Sequence, residues 1–195
     1  IYKNTPINQQ PEFASCSVFA IPTIDNQNKV VMKVPAFDSA NSLLVLPNFR
    51  IENSGIEDQS FSVVMDILIP TSSTNKWISL FQTNTYNLND ADLFINPQGA
   101  IGIAESYHGQ ILPNTWYRIG FTIDGEAGQI KKYINGTLIG TTPITGNRWN
   151  VWNSSRSGDD QGFLLFADND GETGIIYVSA LQTRNYVLTP SQVST

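Results

Sequence analysis

The sequence is poor in the residues from which many catalytic and metal sites are built. Its 195 residues include a single cysteine, Cys16, and a single histidine, His108. An internal disulfide is therefore impossible, and a zinc site or a Ser-His-Asp or Cys-His arrangement would have to form around these lone residues. We expect no chemistry of these kinds and expect Cys16 to be a small buried apolar residue.

Positive charge is also scarce. Lysine and arginine number 11 against 17 aspartates and glutamates, which gives a net charge of -6. Nucleic acid and anionic lipid both need a basic surface, so neither is an expected partner. The sequence contains no glycine-rich phosphate loop, no recognisable signal peptide and no apolar run of the length that a membrane span needs.

Helical periodicity of useful length is missing as well, whereas turn-forming and aromatic residues are plentiful. The chain has 14 glycines, 10 prolines and 11% aromatic residues, a composition typical of an antiparallel β protein with many turns. Its length suits one domain. We predict a polar lead-in or linker end over residues 1–12 and a single β domain over residues 13–195.

The clearest local signal is a double hairpin over residues 115–141. Its first strand, WYRIGFTID, alternates with a period of two, as expected of a strand that packs on one side. The Asn135-Gly136 pair predicts a two-residue hairpin turn, because both central positions of that turn need a positive φ. The predicted core face of the first strand consists of Tyr117, Ile119, Phe121 and Ile123.

Further strands are predicted on both sides of this hairpin. Residues 61–69 and 76–83 alternate as two strands of a sandwich, and residues 163–167 and 175–184 supply two more. The segment LTPSQV predicts a short closing helix, with Thr189 as its cap before Pro190.

These motifs together resemble a known family. The Trp-Tyr-Arg strand and the Lys-Tyr-Ile-Asn-Gly strand end resemble the centre of a laminin-G-like, concanavalin A-like jelly roll. The Asn/Asp-rich loop TYNLND (residues 85–90), the DADLFI strand and the IGI strand are similar to a second block of a bacterial branch of that family. LTPSQV resembles its closing turn. The resemblance covers roughly residues 61–193 and implies an all-β fold, a two-sheet antiparallel β-sandwich (jelly roll) of concanavalin A-like type.

The acidic turn DNDGE at residues 168–172 is the sharpest candidate metal site. Calcium takes six to eight hard oxygen ligands, and alternate carboxylates on a tight loop supply such atoms. The turn lacks the twelve-residue pattern of an EF-hand. Calcium sites at rim loops of the family make Asp168, Asp170 and Glu172 the implied ligands, and family geometry adds Asp38. The alternative is a plain solvated hairpin turn.

A candidate sugar site follows from the Asn/Asp-rich loop. Sugar recognition combines carboxylate and amide groups, which hydrogen-bond hydroxyls, with an aromatic face that covers the apolar side of the ring. The alternative is that the amides cap turns, that Asp92 pairs locally and that Tyr107 belongs to the core. We place the aromatic-imidazole pair 107–108 on a loop. The candidate ligand-binding residues are Tyr86, Asn87, Asp90, Asp92, Tyr107 and His108.

Residues 142–162 form a connection too long to be an idle turn in a compact domain. Trp149 and Trp152 lie within it and form an alternative stacking platform for a sugar. A tryptophan in such a loop can instead anchor the loop on the sandwich.

Catalytic carboxylates are not arranged as in the family's glucanases. Those enzymes carry an E-x-D-x-x-E run on one strand, which this sequence lacks. The resemblance therefore implies a non-catalytic carbohydrate-binding, lectin-like or adhesive module, with calcium as a possible cofactor and a glycan as partner. Because the chain begins at Ile1 without methionine, we expect a module of a larger protein. The many Asn, Ser and Thr residues fit the extracellular jelly-roll modules that the chain resembles, so we expect that protein to be secreted or on the cell surface. The alternatives are a polysaccharide-degrading enzyme with a divergent site and a structural or protein-interaction spacer.

Overall fold

The computed structural model describes residues 2–3, 9–46, 60–144, 149, 151 and 162–195. The elements within these ranges are β1 (Tyr2–Lys3), β2 (Glu12–Ser15), β3 (Val30–Val34), β4 (Ser42–Val45), β5 (Phe61–Leu68), β6 (Ile78–Gln82), β7 (Leu93–Ile95), β8 (Ile101–Ile103), β9 (Ser106–His108), β10 (Trp116–Asp124), β11 (Gln129–Ile134), β12 (Thr137–Pro143), β13 (Phe163–Leu165), β14 (Ile176–Arg184) and α1 (Pro190–Ser194).

The strands form two antiparallel sheets of seven strands each. One sheet has the order β1-β4-β13-β6-β7-β8-β9, and the other has the order β12-β11-β10-β5-β14-β3-β2. The predicted two-sheet antiparallel β-sandwich is confirmed. No described helix has the length and apolar character of a membrane span. The predicted boundary between residues 12 and 13 stays a prediction.

The predicted double hairpin lies in the second sheet. Strand β10 pairs with β5 on one side and with β11 on the other. Ile119, Phe121 and Ile123 are fully buried, and Tyr117 is partly buried against the same core cluster, which confirms the predicted core face. Asn135 and Gly136 have φ angles of 50° and 77°, so the hairpin turn between β11 and β12 is also confirmed.

The core between the sheets is centred on the ring of Phe81. Its centroid lies 4.8 Å from that of Phe163, 5.0 Å from that of Phe121 and 5.9 Å from that of Phe61. Phe81 and Phe163 belong to the first sheet, and the other two rings belong to the second. Aromatic pairs of this kind contribute about 0.5–1.5 kcal/mol each beyond the area they bury. The cluster therefore joins the two layers.

Two smaller expectations are confirmed, and one is wrong. Cys16 is a buried free thiol, and Thr189 caps α1 in a capping box. Tyr107 and His108, however, lie in strand β9 rather than on a loop. Ala104 adopts a φ of 52°, which lets the chain turn back at once after β8 and pair with it.

Candidate functional site

Three carboxylates meet on the connection between β13 and β14. One carboxylate oxygen from each of Asp168, Asp170 and Glu172 lies within 4.8 Å of the others. Gly171, with a φ of 88°, turns the chain between the last two. We call these residues the acidic triad. The three residues that the sequence suggested as metal ligands are thus brought together.

Asp168 is the fixed member of the acidic triad. It is fully buried, and its Oδ1 accepts a hydrogen bond of 2.9 Å from the backbone N–H of Ala91. Its Oδ2 accepts one of 3.2 Å from the N–H of Asp170. Asp168 thereby ties the Asn/Asp-rich loop to the acidic turn and orients the carboxylates beside it.

Negative charge accumulates around the acidic triad. Burial raises the pKa of Asp168 to about 6. Its side-chain hydrogen bond with Asp170 and the charge of Asp170 add to that rise, whereas the backbone N–H bonds from Ala91 and Asp170 oppose it. Burial, followed by the charges of Asp170, Asp168 and Asp90, raises the pKa of Glu172. A carboxyl whose charged form is disfavoured by neighbouring carboxylates gains from a bound cation. The electrostatics therefore favour a cation at this position.

The donor set also fits a hard cation. Ligands of one Ca²⁺ lie about 2.3–2.6 Å from the ion, so their oxygens are within about 5 Å of one another, as in the acidic triad. The side-chain Oδ1 of Asn169, within the same turn, is buried and has no hydrogen-bond partner. A buried oxygen without a donor is costly unless a water or an ion satisfies it. The acidic triad could hold a metal ion.

Asp38 lies on a loop that touches this region without joining the acidic triad. Its Oδ1 accepts hydrogen bonds from the N–H of Ala40 and the side-chain amide of Asn41. The carbonyl of Ser39, on the same loop, accepts a bond of 3.0 Å from Asn87 Nδ2. The structure thus places Asp38 near the rim but occupied with local bonds.

The Asn/Asp-rich loop divides into inward and outward residues. Asn87 donates to the carbonyl of Asp168 at 3.1 Å. Asp92 is buried, and its Oδ2 accepts bonds of 2.6 and 2.7 Å from the N–H and hydroxyl of Thr83, which is the local pairing that the sequence left open. Tyr86 and Asp90 are exposed. Asp90 lies near enough to raise the pKa of Glu172, so it borders the acidic triad.

An aromatic surface adjoins the acidic triad. The ring of Tyr107 lies 5.2 Å from that of Trp77, which lies 6.1 Å from that of Phe94. Gly102 separates Phe94 from Tyr107 in the sheet. We call Trp77, Phe94 and Tyr107 the aromatic strip. Trp77 remains 37% exposed, so part of this residue is open to solvent.

Two observations connect the aromatic strip with the acidic triad. Burial, followed by the charge of Glu172, raises the pKa of Tyr107 to about 12. The N–H of Ser79, two residues beyond Trp77, donates a bond of 2.7 Å to the carbonyl of Glu172. An exposed ring and a group of carboxylates therefore lie side by side.

Sequence reasoning missed Trp77 as a site residue. The alternation of residues 76–83 predicts only a strand there, although a tryptophan two residues after the polar turn TSSTN is a usable signal. His108, by contrast, points away from Tyr107, because successive residues of a strand face opposite sides. Its ring contacts the backbone of Gly140 in β12.

Of the two tryptophans of the long connection, the structure describes only Trp149. Trp149 is only 5% exposed and stacks on Phe81, with ring centroids 6.0 Å apart, so it anchors the connection in the core. Trp152 lies outside the described residues.

Comparison with known proteins identifies the fold. No family model matches the sequence, and no curated protein matches it. Among solved structures, domain 4 of AbnA, a GH43 extracellular arabinanase from Geobacillus stearothermophilus, was solved in complex with arabinotriose. It is 16% identical, with a TM-score of 0.56 over 100% of this chain and 85% of that chain.

Two larger proteins are also similar. The botulinum neurotoxin serotype D binding domain is 16% identical, with a TM-score of 0.52 over 95% of this chain and 46% of that chain. Trypanosoma rangeli sialidase is 15% identical, with a TM-score of 0.51 over 85% of this chain and 29% of that chain. The chain thus spans less than half the length of either protein. These similarities show the fold, and place this chain among β-sandwich domains of that architecture.

Proposed function

We propose that this chain is a non-catalytic carbohydrate-binding, lectin-like or adhesive module that binds its glycan with the help of calcium. The observation that carries the proposal is the proximity of the aromatic strip to the acidic triad, which follows from the charge of Glu172 acting on Tyr107 and from the hydrogen bond of Ser79 N–H to the carbonyl of Glu172. Trp77 offers a flat apolar face, and Asp170, Glu172 and Asp90 offer oxygen acceptors beside it.

The two halves of this surface match the two sides of a sugar ring. The C–H side of a pyranose or furanose packs against an aromatic face, and vicinal hydroxyls donate to carboxylates or coordinate a cation. Calcium at the acidic triad would use Asp168, Asp170 and Glu172, with the amide oxygen of Asn169 as a further ligand. The ion would supply a positive centre for sugar hydroxyls beside the ring of Trp77.

Similarity to the arabinanase domain supports a sugar ligand, since that domain has a comparable length and was solved with arabinotriose. The likeness extends to the fold alone, so the choice of arabinotriose as a first probe is part of the proposal. The botulinum and sialidase domains show that the same sandwich occurs within larger chains. We extend the proposal to a module of a larger secreted or cell-surface protein.

The non-catalytic part of the proposal rests on the burial of Asp168. A retaining glycosidase uses two carboxyl groups about 5–5.5 Å apart, one of which must reach the glycosidic oxygen. Asp168 has the raised pKa of a general acid, but it is fully buried and both of its oxygens accept backbone hydrogen bonds. It is placed to shape the turn rather than to protonate a substrate.

The proposal is tested by glycan-array binding, followed by calorimetry with the best oligosaccharide and with arabinotriose, in calcium and in excess EGTA. Trp77→Ala should weaken binding roughly ten-fold, because a stacked ring is lost. Phe13→Ala is the matched control, since Phe13 is exposed on edge strand β2 of the other sheet.

Three results would separate this proposal from its alternatives. Binding that disappears with EGTA and with Glu172→Gln supports the calcium-dependent lectin. Release of reducing sugar from polysaccharides would overturn the non-catalytic assignment in favour of an enzyme. Absence of both binding and turnover, with a Tm that ignores calcium, would leave a structural or protein-interaction spacer.

A further inference from the structure

A cavity lies beside β9, and Tyr107 of the aromatic strip is one of its lining residues. It has a volume of about 480 Å³ and opens where β9, the edge of one sheet, meets β12, the edge of the other. Ile103, Ile130, Pro143 and Trp149 supply its apolar lining. We call this space the side cavity.

A buried ammonium group stands behind the side cavity. Lys132 of β11 is 1% exposed, and its Nζ donates to the carbonyl of Ser106 at 2.8 Å and to the hydroxyl of Thr142 at 2.7 Å. Both acceptors belong to residues that line the cavity. Lys132 therefore places its charge directly behind the cavity wall.

This charge has no opposite charge paired with it in the part of the chain that the structure describes. The acceptors of Lys132 are neutral, and the ion pairs formed among described residues involve other groups. Burial lowers its pKa to about 8. Burying a charge without an opposite charge or several strong hydrogen bonds destabilises the folded state. An anion bound near Lys132 would therefore stabilise it.

Hydrogen bonds link the ammonium group of Lys132 to the polar groups of the cavity wall. The hydroxyls of Ser106 and Thr142 lie 2.7 Å apart. An ammonium group only donates, so Thr142 Oγ1 must accept from Lys132. Whichever of the two hydroxyls donates to the other, one hydroxyl proton remains free for a further acceptor, and both hydroxyls belong to residues of the cavity wall. The wall therefore presents an O–H donor backed by a positive charge.

His108 adds a second polar position to the wall. Its Nδ1 is buried and has no hydrogen-bond partner, and burial followed by the charge of Lys132 lowers the pKa of its imidazole. A neutral imidazole can carry its proton on Nδ1 and donate it to a ligand. Glu105, the charged residue of the lining, is exposed, so its carboxylate opposes an anion only from the mouth of the cavity.

We propose that the side cavity is a second binding site, which takes a small carboxylate with an apolar body. The carboxylate accepts from the free hydroxyl of the Ser106–Thr142 pair and from His108, with Lys132 supplying the compensating charge. The apolar body lies against Ile103, Ile130 and Trp149. This site does not depend on calcium, and of the aromatic strip only Tyr107 belongs to its lining.

The experiment compares hexanoate with hexanamide, which has the same chain but no charge. Binding is followed by two-dimensional NMR at the backbone amides of residues 103–108 and at the indole N–H of Trp149. Hexanoate should shift these signals and bind about ten-fold or more tightly than hexanamide, because bonds to charged groups are the stronger ones.

Three variants and one control, Lys131→Met, assign the effect. Lys132→Met should remove the preference for hexanoate, whereas Lys131→Met, on the opposite face of β11, should keep it. Ser106→Ala retains the backbone carbonyl that holds Lys132 and should weaken hexanoate binding about three- to ten-fold. Glu105→Gln should tighten it about two-fold, because a repelling charge at the mouth is removed. If Lys132→Met fails to fold, Ser106→Ala and Glu105→Gln carry the test alone.

The proposal is overturned if neither compound shifts the cavity signals at millimolar concentration. It is equally overturned if the two bind alike, or if the preference for hexanoate survives in both Lys132→Met and Ser106→Ala. Lys132 would then be a structural lysine that seals the end of the sandwich.

Discussion

The acidic triad and the surroundings of Lys132 each contain charge of one sign with no opposite charge beside it among the described residues. The charge is negative at the acidic triad and positive at Lys132. At the acidic triad, Asp168, Asp170 and Glu172 gather without a described cation beside them. At the side cavity, Lys132 is buried with neutral acceptors. Each place disfavours its own charged form, as the raised pKa of Asp168 and the lowered pKa of Lys132 indicate.

A third charged region, the ion pair of Arg118 and Asp66, contains both charges within the protein. Arg118 and Asp66 form two hydrogen bonds of 2.7 and 2.9 Å across the neighbouring strands β10 and β5. Contact with Asp66 raises the pKa of Arg118, so this pair stabilises its charged form. This contrast is the one expected if the two unpaired places bind the ligands proposed above.

The largest expected effect comes from removing the buried member of the acidic triad. Asp168→Ala leaves the N–H groups of Ala91 and Asp170 without their acceptor, and we expect a loss of about 2–4 kcal/mol in the free energy of unfolding. Stabilisation by calcium should vanish in the same variant. Urea unfolding with and without calcium measures both. Exposed Glu126 provides the control, since Glu126→Ala should change stability by less than about 0.5 kcal/mol.

A second prediction concerns acid pH. The folded pKa of Asp168 lies above its ordinary value of 3.8, so the folded state binds this proton more tightly than the unfolded state does. The resulting stabilisation is present below pH 4 and is lost as the pH rises through about 6. Relative to Asp168→Asn, the wild type should lose on the order of 1–2 kcal/mol over this range.

Denaturant unfolding at several pH values in EGTA provides that measurement. Calcium should reverse the loss above pH 6 in the wild type and should have little effect on Asp168→Asn. Parallel pH profiles of the two proteins would contradict the charge accumulation deduced for the acidic triad.

The sequence anticipated more of the fold than of the charged sites. The alternation of residues 117–123 and the Asn135-Gly136 turn depend on neighbours along the chain, so periodicity and turn chemistry sufficed. Asp168, Asp170 and Glu172 were also found, because they lie on one turn. Their closeness to Trp77 depends on pairing between distant segments.

Lys132 shows why the remaining features escaped sequence reasoning. In QIKKYI it occupies the inward face between Ile130 and Ile134, where alternation predicts an apolar residue. Its acceptors come from β9 and β12, and β9 itself was predicted as a loop. The environment of this lysine is set by the meeting of two sheet edges, which no local pattern encodes.

A third prediction concerns alkaline pH. The folded pKa of Lys132, about 8, lies below the ordinary value of 10.5, so the unfolded state binds this proton more tightly. The free energy of unfolding should therefore rise between pH 8 and 10.5 as Lys132 loses its proton, whereas ionisation of Asp168 lowers it. In Lys132→Met this rise should be absent, and the variant should be as stable as the wild type at pH 7 or up to about 2 kcal/mol more stable.

Chemical denaturation at pH 7 and pH 10 checks this, with Lys131→Met as the control. A loss of more than about 3 kcal/mol in Lys132→Met at pH 7 would mean that the ammonium is a net stabilising partner of its two acceptors. The claim that the folded state disfavours the charge of Lys132, as it disfavours the charges of the acidic triad, would then be wrong.

The most direct test of the proposed function is an NMR titration with calcium followed by arabinotriose or the best glycan from the array. The account predicts that calcium shifts the backbone amides of residues 168–172 at a single site. The sugar should then shift the indole N–H of Trp77 only when calcium is present. Calcium that leaves residues 168–172 unmoved, or a sugar that binds without moving Trp77, would contradict it.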